Sequence, residues 1–341
     1  MTNFSNTDRE ADLTPELRKS DHIEIALSGR VNNLGQDKRF NYEPLLMATP
    51  QKWMPFTFLG KTFNAPFWVS SMTGGTQHAG EINRTLAMVA ARFGFGMGLG
   101  SCRSLLYSKE HLADFAMRIY LGDALPLYAN LGIAQVESLV INHQWDLLRS
   151  IVQMTEADGL IIHINPIQEW LQKGGDKLTL PPIDTIKKLL DKDLFPLIVK
   201  EVGQGFGPES TKALLSLPLK AIEFAAQGGT NFGAIEELRK DDAAHFSPLV
   251  HVGHSAEDMV DFIRTIRQES STAVNEFIIS GGIKNFLDGY YCMQRLHAPA
   301  VIGQASAMLR YALLGEEALS QYVAEQLSGL LFAQAYLKVK V

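Results

Sequence analysis

Along the chain, short apolar runs ending in Gly, Ser, Thr or Asn alternate with longer stretches of helical periodicity. Eight such runs occupy 67–72, 95–100, 126–131, 159–165, 196–202, 220–226, 276–281 and 300–303. Apolar positions recur at helical spacing in 80–92, 136–157, 208–217 and 256–269, and 315–339 closes the chain as one or two helices. Short buried runs between amphipathic helices are how parallel βα units read. Eight repeats favour a closed (β/α)8 TIM barrel over a doubly wound sheet. Two connections, 168–180 and 227–247, are longer than compact domains usually keep without a function. Residues 1–17, rich in Asn, Thr, Asp and Glu, read as a mobile tail, and 18–341 as one barrel domain led by an N-terminal segment.

The 341 residues leave room for a barrel of about 250 residues and extra segments. A net charge of −6, from 31 Lys+Arg against 37 Asp+Glu and with no basic tract, argues against a nucleic-acid or anionic-membrane partner. Any anionic ligand must therefore be met by local donors. The two cysteines, Cys102 and Cys292, offer neither metal-ligand spacing nor a disulfide framework. Residues 1–12 lack the apolar core of a signal peptide, and no run of about 18 apolar residues is present, so a cytoplasmic protein is expected.

The seventh run ends Ser280-Gly281-Gly282-Ile283 and the eighth Gly303-Gln304-Ala305. Glycines at these two successive strand ends let backbone N–H groups approach an anion, and barrels often bind phosphate there. Gln227-Gly228-Gly229-Thr230 ends the sixth run in the same way, adding a hydroxyl; a plain turn is the alternative.

In the fifth run, Ile198 and Lys200 share the inward face because side chains alternate along a strand. A lysine inside a barrel needs an anion or strong acceptor to offset desolvation. The electron-rich pyrimidine edge of a flavin would serve, as would a barrel carboxylate such as Glu223. The fourth run brings His163 and Asn165 to one face, followed by Gln168 and Glu169. One carboxylate among amides suits Mg²⁺ held mainly through water and phosphate, and does not suit zinc. Ser70 to Gly75, Ser101, Arg103 and Asn130 rim the same mouth. Arg103 suits bidentate phosphate binding, and Asn130 either reads a flavin edge or is a satisfied core amide. Cys102 reads as a packing residue.

Together the motifs Arg18-Lys19-x-x-His22, Met72-Thr73-Gly74-Gly75, Gly100-Ser101-x-Arg103, Asn130-Leu131-Gly132, His163-x-Asn165-x-x-Gln168-Glu169, Val199-Lys200-Glu201-Val202-Gly203, Gly228-Gly229-Thr230 and Ser280-Gly281-Gly282-Ile283 resemble type 2 isopentenyl-diphosphate isomerase. The resemblance runs from Arg18 to about Arg310. It implies an FMN- and Mg²⁺-dependent barrel whose flavin works reduced, with NADPH as reductant and a small-molecule diphosphate as substrate. It implies FMN contacts at Met72, Thr73, Gly74, Ser101, Asn130, Lys200, Thr230, Gly281, Gly282, Gln304 and Ala305. Substrate contacts are implied at Arg18, Lys19, His22, Arg103, Asn165 and Gln168, and a magnesium ligand at Glu169. His163 and Gln168 would orient substrate or water; Glu236 is either an auxiliary proton carrier or a helix-surface glutamate. Barrels of this type commonly associate, so a homo-oligomer is expected.

The chain departs from the family pattern at Cys102, usually Gln, at Phe232, usually Trp, and in the bulkier Ala225-Ala226-Gln227. Two other readings compete: an FMN-dependent 2-hydroxyacid oxidase or dehydrogenase, and a non-catalytic flavin- or phosphate-binding barrel. The first needs a histidine base and arginines near the seventh strand, and 277–285 holds neither.

Overall fold

The computed structural model describes residues 35–71, 73–240 and 247–340. The chain divides into two units, Met1–Asn41 with Lys340–Val341, and Tyr42–Val339. In the first, Arg39 pairs with Asp37 at 2.7 Å and its carbonyl accepts the N–H of Lys340. Everything below belongs to the second.

Eight parallel strands close into a barrel: β1 (Phe67–Val69), β2 (Gly96–Gly98), β3 (Leu127–Gly132), β4 (Gly159–His163), β5 (Leu197–Lys200), β6 (Ala221–Glu223), β7 (Phe277–Ser280) and β8 (Ala300–Gln304). The ring shuts where Gln304 of β8 pairs with Val69 of β1. Nearly every strand residue is buried, because helices cover one face and the barrel interior fills the other. Helix ends follow local chemistry. Thr76 caps Gln77–Phe93 by accepting the N–H of Ala79, and Gly94 ends that helix at φ 75°. Ser255 and Asp258 form a reciprocal capping box ahead of Ala256–Glu269.

Before the barrel, Phe56–Phe58 and Lys61–Phe63 form an antiparallel hairpin. Its turn residues Leu59 and Gly60 both take positive φ, as a two-residue hairpin turn requires. Lys61 Nζ donates to Asp123 O and Leu125 O and pairs with Asp158, while Leu59 N donates to Glu276. Asp158, Leu125 and Glu276 stand just before β4, β3 and β7, so the hairpin plugs the N-terminal end of the barrel. The C-terminal end remains open for chemistry.

Several expected boundaries shift. The sixth strand stops at Glu223 because Ala225 takes φ 42°, although Ala226 still donates to Ser280 O. The stretch 136–157 is two helices, Ile133–Ile141 and Trp145–Met154, parted at His143 with φ 55°. Neither long connection is structureless: Pro166–Leu171 and Phe232–Leu238 are short helices. The closing stretch is one helix, Glu316–Tyr336, and a strand, Leu337–Val339.

Candidate active site

At the C-terminal ends of the strands, Gly132, His163, Lys200 and Glu223 are consecutive register partners across β3, β4, β5 and β6. Neighbours in register share a face, so these four form one level of the barrel interior. A Cβ on Gly132 would stand 2.9 Å from His163 Nε2 and 2.4 Å from Gln135 Oε1, which is why that position carries no side chain. Lys200 and Glu223 are both buried. The ammonium donates to its neighbour's carbonyl, Glu201 O, at 2.8 Å. Burial pushes the Glu223 carboxyl up, opposed by the charge of Lys200 and the Ser280 hydroxyl, which donates to Oε1 at 3.2 Å.

Two cavities, of about 80 and 160 Å³, open above this level. Both are lined by Ser71, Lys200, Val202 and Phe232, so they adjoin across Lys200.

The first cavity lies over β6, β7 and β8. Thr230, Gly281, Gly282, Gln304 and Ala305 line it, as does Gly229. Gly281 has φ 86°, and a Cβ there would meet Ala226 O at 2.1 Å. A Cβ on Gly229 would lie 3.0 Å from Gly282 N. Only glycines let these two loops pack backbone to backbone. Gln304 is buried, and its Oε1 accepts the Tyr322 hydroxyl at 3.2 Å.

The second cavity lies over β2 to β5 and gathers Ser101, Arg103, Asn130, His163, Asn165, Gln168 and Glu169. Asn130 Nδ2 donates to Leu99 O at 3.1 Å, which turns its Oδ1 toward His163 Nδ1 at 2.7 Å. The imidazole must therefore carry its proton on Nδ1 and leave Nε2 as acceptor. Burial, with the charge of Lys200, pushes the His163 pKa down to about 3. The imidazole is thus neutral at ordinary pH. Of the two readings of Asn130, the satisfied core amide describes its bonding. Asn165 Nδ2 donates to Gln168 Oε1 and to Glu169 Oε1, at 3.1 and 2.9 Å. Glu236 is buried beside them: Gln168 reaches its Oε1 at 3.4 Å and Arg239 at 2.8 Å. That replaces the helix-surface reading with an internal carboxylate.

Thr73 and Gly74 line neither cavity; they pack behind the rim, Thr73 O lying 2.1 Å from where a Gly100 Cβ would stand. Arg18, Lys19, His22 and Met72 lie outside the described residues. Cys102 is buried, and burial pushes its thiol up to about 12, so it packs and does not react. Gln135 and Asp176 were not foreseen. Gln135 lines the second cavity, and Asp176 accepts from Gln135 Nε2 at 2.9 Å and pairs with Arg103 at 3.2 Å. Their signal in the sequence was only a Gly174-Gly175-Asp176 turn within a long connection.

Among the described residues no three His, Cys, Asp or Glu side chains cluster for a metal ion, so any cation here would rest on Glu169, water and a ligand. No helix among them is long and apolar enough to cross a membrane.

No family model matches the chain. Among curated proteins it is 33% identical over 317 residues to isopentenyl-diphosphate delta-isomerase of Rickettsia felis, covering 90% of this chain and 88% of the relative. With the Rickettsia africae protein of the same name it shares 32% over 328 residues, 91% of each. Among solved structures it resembles a flavocytochrome b2 variant with sulfite bound, at a TM-score of 0.58, 13% identity, 87% of this chain and 71% of the other. A mandelate oxidase variant with an FMN adduct aligns at a TM-score of 0.54 and 13% identity, over 89% of each. Such low identity speaks for the barrel fold alone.

Proposed function

The chain belongs to the isopentenyl-diphosphate delta-isomerase family, and on that premise we propose that it moves the double bond of isopentenyl diphosphate from the 3,4 to the 2,3 position with FMN and Mg²⁺. The observation that carries this reading is the pair of cavities meeting at Lys200, one walled by glycines and the other by amides and a carboxylate.

The first cavity fits FMN by its donor set. Gly229, Gly281 and Gly282 let the loops after β6 and β7 close on each other along the cavity wall, where a Cβ would meet the facing backbone, and the buried Ser71 hydroxyl is without a partner. Thr230, Gln304 and Ala305 would hold the cofactor phosphate with them, and Lys200 its pyrimidine edge. Ser101 and Asn130, which line the adjoining cavity, would meet the rest of the cofactor, with Thr73 and Gly74 packed behind them. When bound, reduced FMN supplies an acid/base group near its N5 for a reaction without net redox.

The second cavity suits an alkene diphosphate. Glu169 would hold Mg²⁺ together with water and diphosphate oxygens, and Arg103 the diphosphate; the motif resemblance assigns Arg18, Lys19 and His22 to the substrate as well. Asn165, whose buried Oδ1 lacks a partner, and Gln168 would orient the substrate. His163 holds its proton on Nδ1 and offers an acceptor without adding charge beside the carbon skeleton. Glu236, which accepts from Gln168, would act as an auxiliary proton carrier through a water. A cytoplasmic homo-oligomer needing no membrane or nucleic acid accompanies this reading.

The test is direct. The purified protein, loaded with FMN and reduced anaerobically with NADPH or dithionite, should convert isopentenyl diphosphate to dimethylallyl diphosphate in the presence of Mg²⁺. Oxygen consumption with 2-hydroxyacids would point instead to an oxidase, and bound FMN without turnover to a non-catalytic barrel. A colourless protein that takes up no FMN would overturn all three readings.

A further inference from the structure

Asp176 sits where the second cavity meets the long connection after β4. Its side chain and its backbone serve different partners. Oδ2 pairs with Arg103 Nη1 at 3.2 Å and accepts from Gln135 Nε2 at 2.9 Å. Its backbone N–H donates to Glu169 Oε2 at 2.8 Å. One residue therefore holds both the guanidinium and the carboxylate that face the cavity.

The segment bearing Asp176 is itself fixed. Gln172 N donates to Gln168 O and Gly175 N to Gln172 O, at 2.9 and 3.1 Å. A Cβ on Gly175 would lie 1.9 Å from Glu169 O, so the chain passes directly against the Glu169 backbone there. Further on, the buried Glu137 accepts the N–H groups of Thr179 and Leu180 at 2.8 and 2.7 Å, and the Thr179 hydroxyl at 2.5 Å. Gln135 and Glu137 both come from the helix Ile133–Ile141, so that helix braces the whole connection.

We propose that Asp176 is a positioning residue for the magnesium–diphosphate: it sets Arg103 in place before the ligand arrives. The inference rests on the diphosphate reading above. Arg103 is about half exposed, with its side chain at 47%. Left to itself, such a side chain samples many rotamers, and binding must then order it at a cost in affinity. Tethering it to a carboxylate that is braced by Gln135 removes much of that cost. An effect of this kind falls on ligand capture and not on the proton transfers.

In the FMN-loaded holoenzyme, Asp176→Ala should raise the KM for isopentenyl diphosphate about tenfold, the loss expected when one long side chain must be ordered on binding. The turnover number should stay within about twofold and the flavin spectrum should be unchanged. Because Asp176 acts through Arg103, the double variant with Arg103→Ala should bind no worse than Arg103→Ala alone. Asp176→Asn, which keeps shape and the Gln135 contact, should restore only part of the affinity. Calorimetry of inorganic pyrophosphate with Mg²⁺ should show the same weakening without any turnover. Additive single variants, or a KM and a pyrophosphate affinity unchanged in both Asp176 variants, would overturn the proposal. A wild-type protein that binds magnesium pyrophosphate with this Asp176 dependence, yet moves no double bond, would overturn the proposed reaction and leave this inference standing.

Discussion

Lys200 and Glu223 are register partners on β5 and β6, both buried and both lining the cavity over the last three strands. The ammonium has a fixed acceptor in Glu201 O, and the carboxyl has Ser280. The positive charge of Lys200 opposes the rise that burial imposes on the Glu223 carboxyl, so the two groups act on each other across this level.

Removing the carboxylate should expose that dependence. Glu223→Ala should destabilise the protein by about 2 kcal/mol, the order for leaving buried polar neighbours such as the Ser280 hydroxyl without their partner. Urea unfolding of the FMN-free protein measures it, and a change below about 1 kcal/mol, in the range typical of an exposed pair, would show that these neighbours do not lean on Glu223.

His163 makes stability depend on pH. Its pKa in the folded protein, about 3, lies below the ordinary 6.5. The unfolded chain therefore binds the extra proton first, and stability falls as pH drops from 6.5 toward 3. The steepest slope is about 1.4 kcal/mol per pH unit. Unfolding curves of wild type and His163→Gln across that window should converge at low pH, and parallel curves would contradict the neutral imidazole.

The glycine cradle is testable at Gly281. Alanine there meets both a positive φ of 86° and the Ala226 carbonyl at 2.1 Å, and should cost about 3 kcal/mol and most of the bound flavin. Gly122, with φ 79° and open space around it, is the control, and should cost about 1 kcal/mol as alanine with flavin retained. Flavin absorbance per protein and thermal unfolding separate the two.

Glu169→Gln should lose the Mg²⁺ dependence of turnover while keeping FMN. If flavin is lost instead, Glu169 belongs to the cofactor site.

Glu236→Gln should lower kcat by about 100-fold, the ordinary range for a proton carrier, with little change in KM. A rise in KM at constant kcat would reduce Glu236 to a support for Gln168.

The strand-four group was legible because its relations are local. Two-residue alternation brings His163 and Asn165 to one face, and the next turn brings Gln168 and Glu169. Glu236 was not legible as an internal group. It is buried because Phe232–Leu238 packs against Pro166–Leu171, helices some 60 residues apart in the chain. Asp176 was hidden for the same reason: Arg103 and Gln135 reach it only once the connection after β4 has found its path.

By itself the sequence determined the barrel and its rim of glycines and polar groups. Those are properties of periodicity and of residues that end strands, and they are set by neighbours along the chain. Only the tertiary structure decided which polar groups are already spent on one another. Asn130 is engaged by Leu99 and His163, His163 is held neutral, Glu236 is drawn inside, and Arg103 is tied to Asp176. Desolvation and hydrogen bonding act through space, so a side chain's charge and freedom are fixed by residues that meet it only after folding.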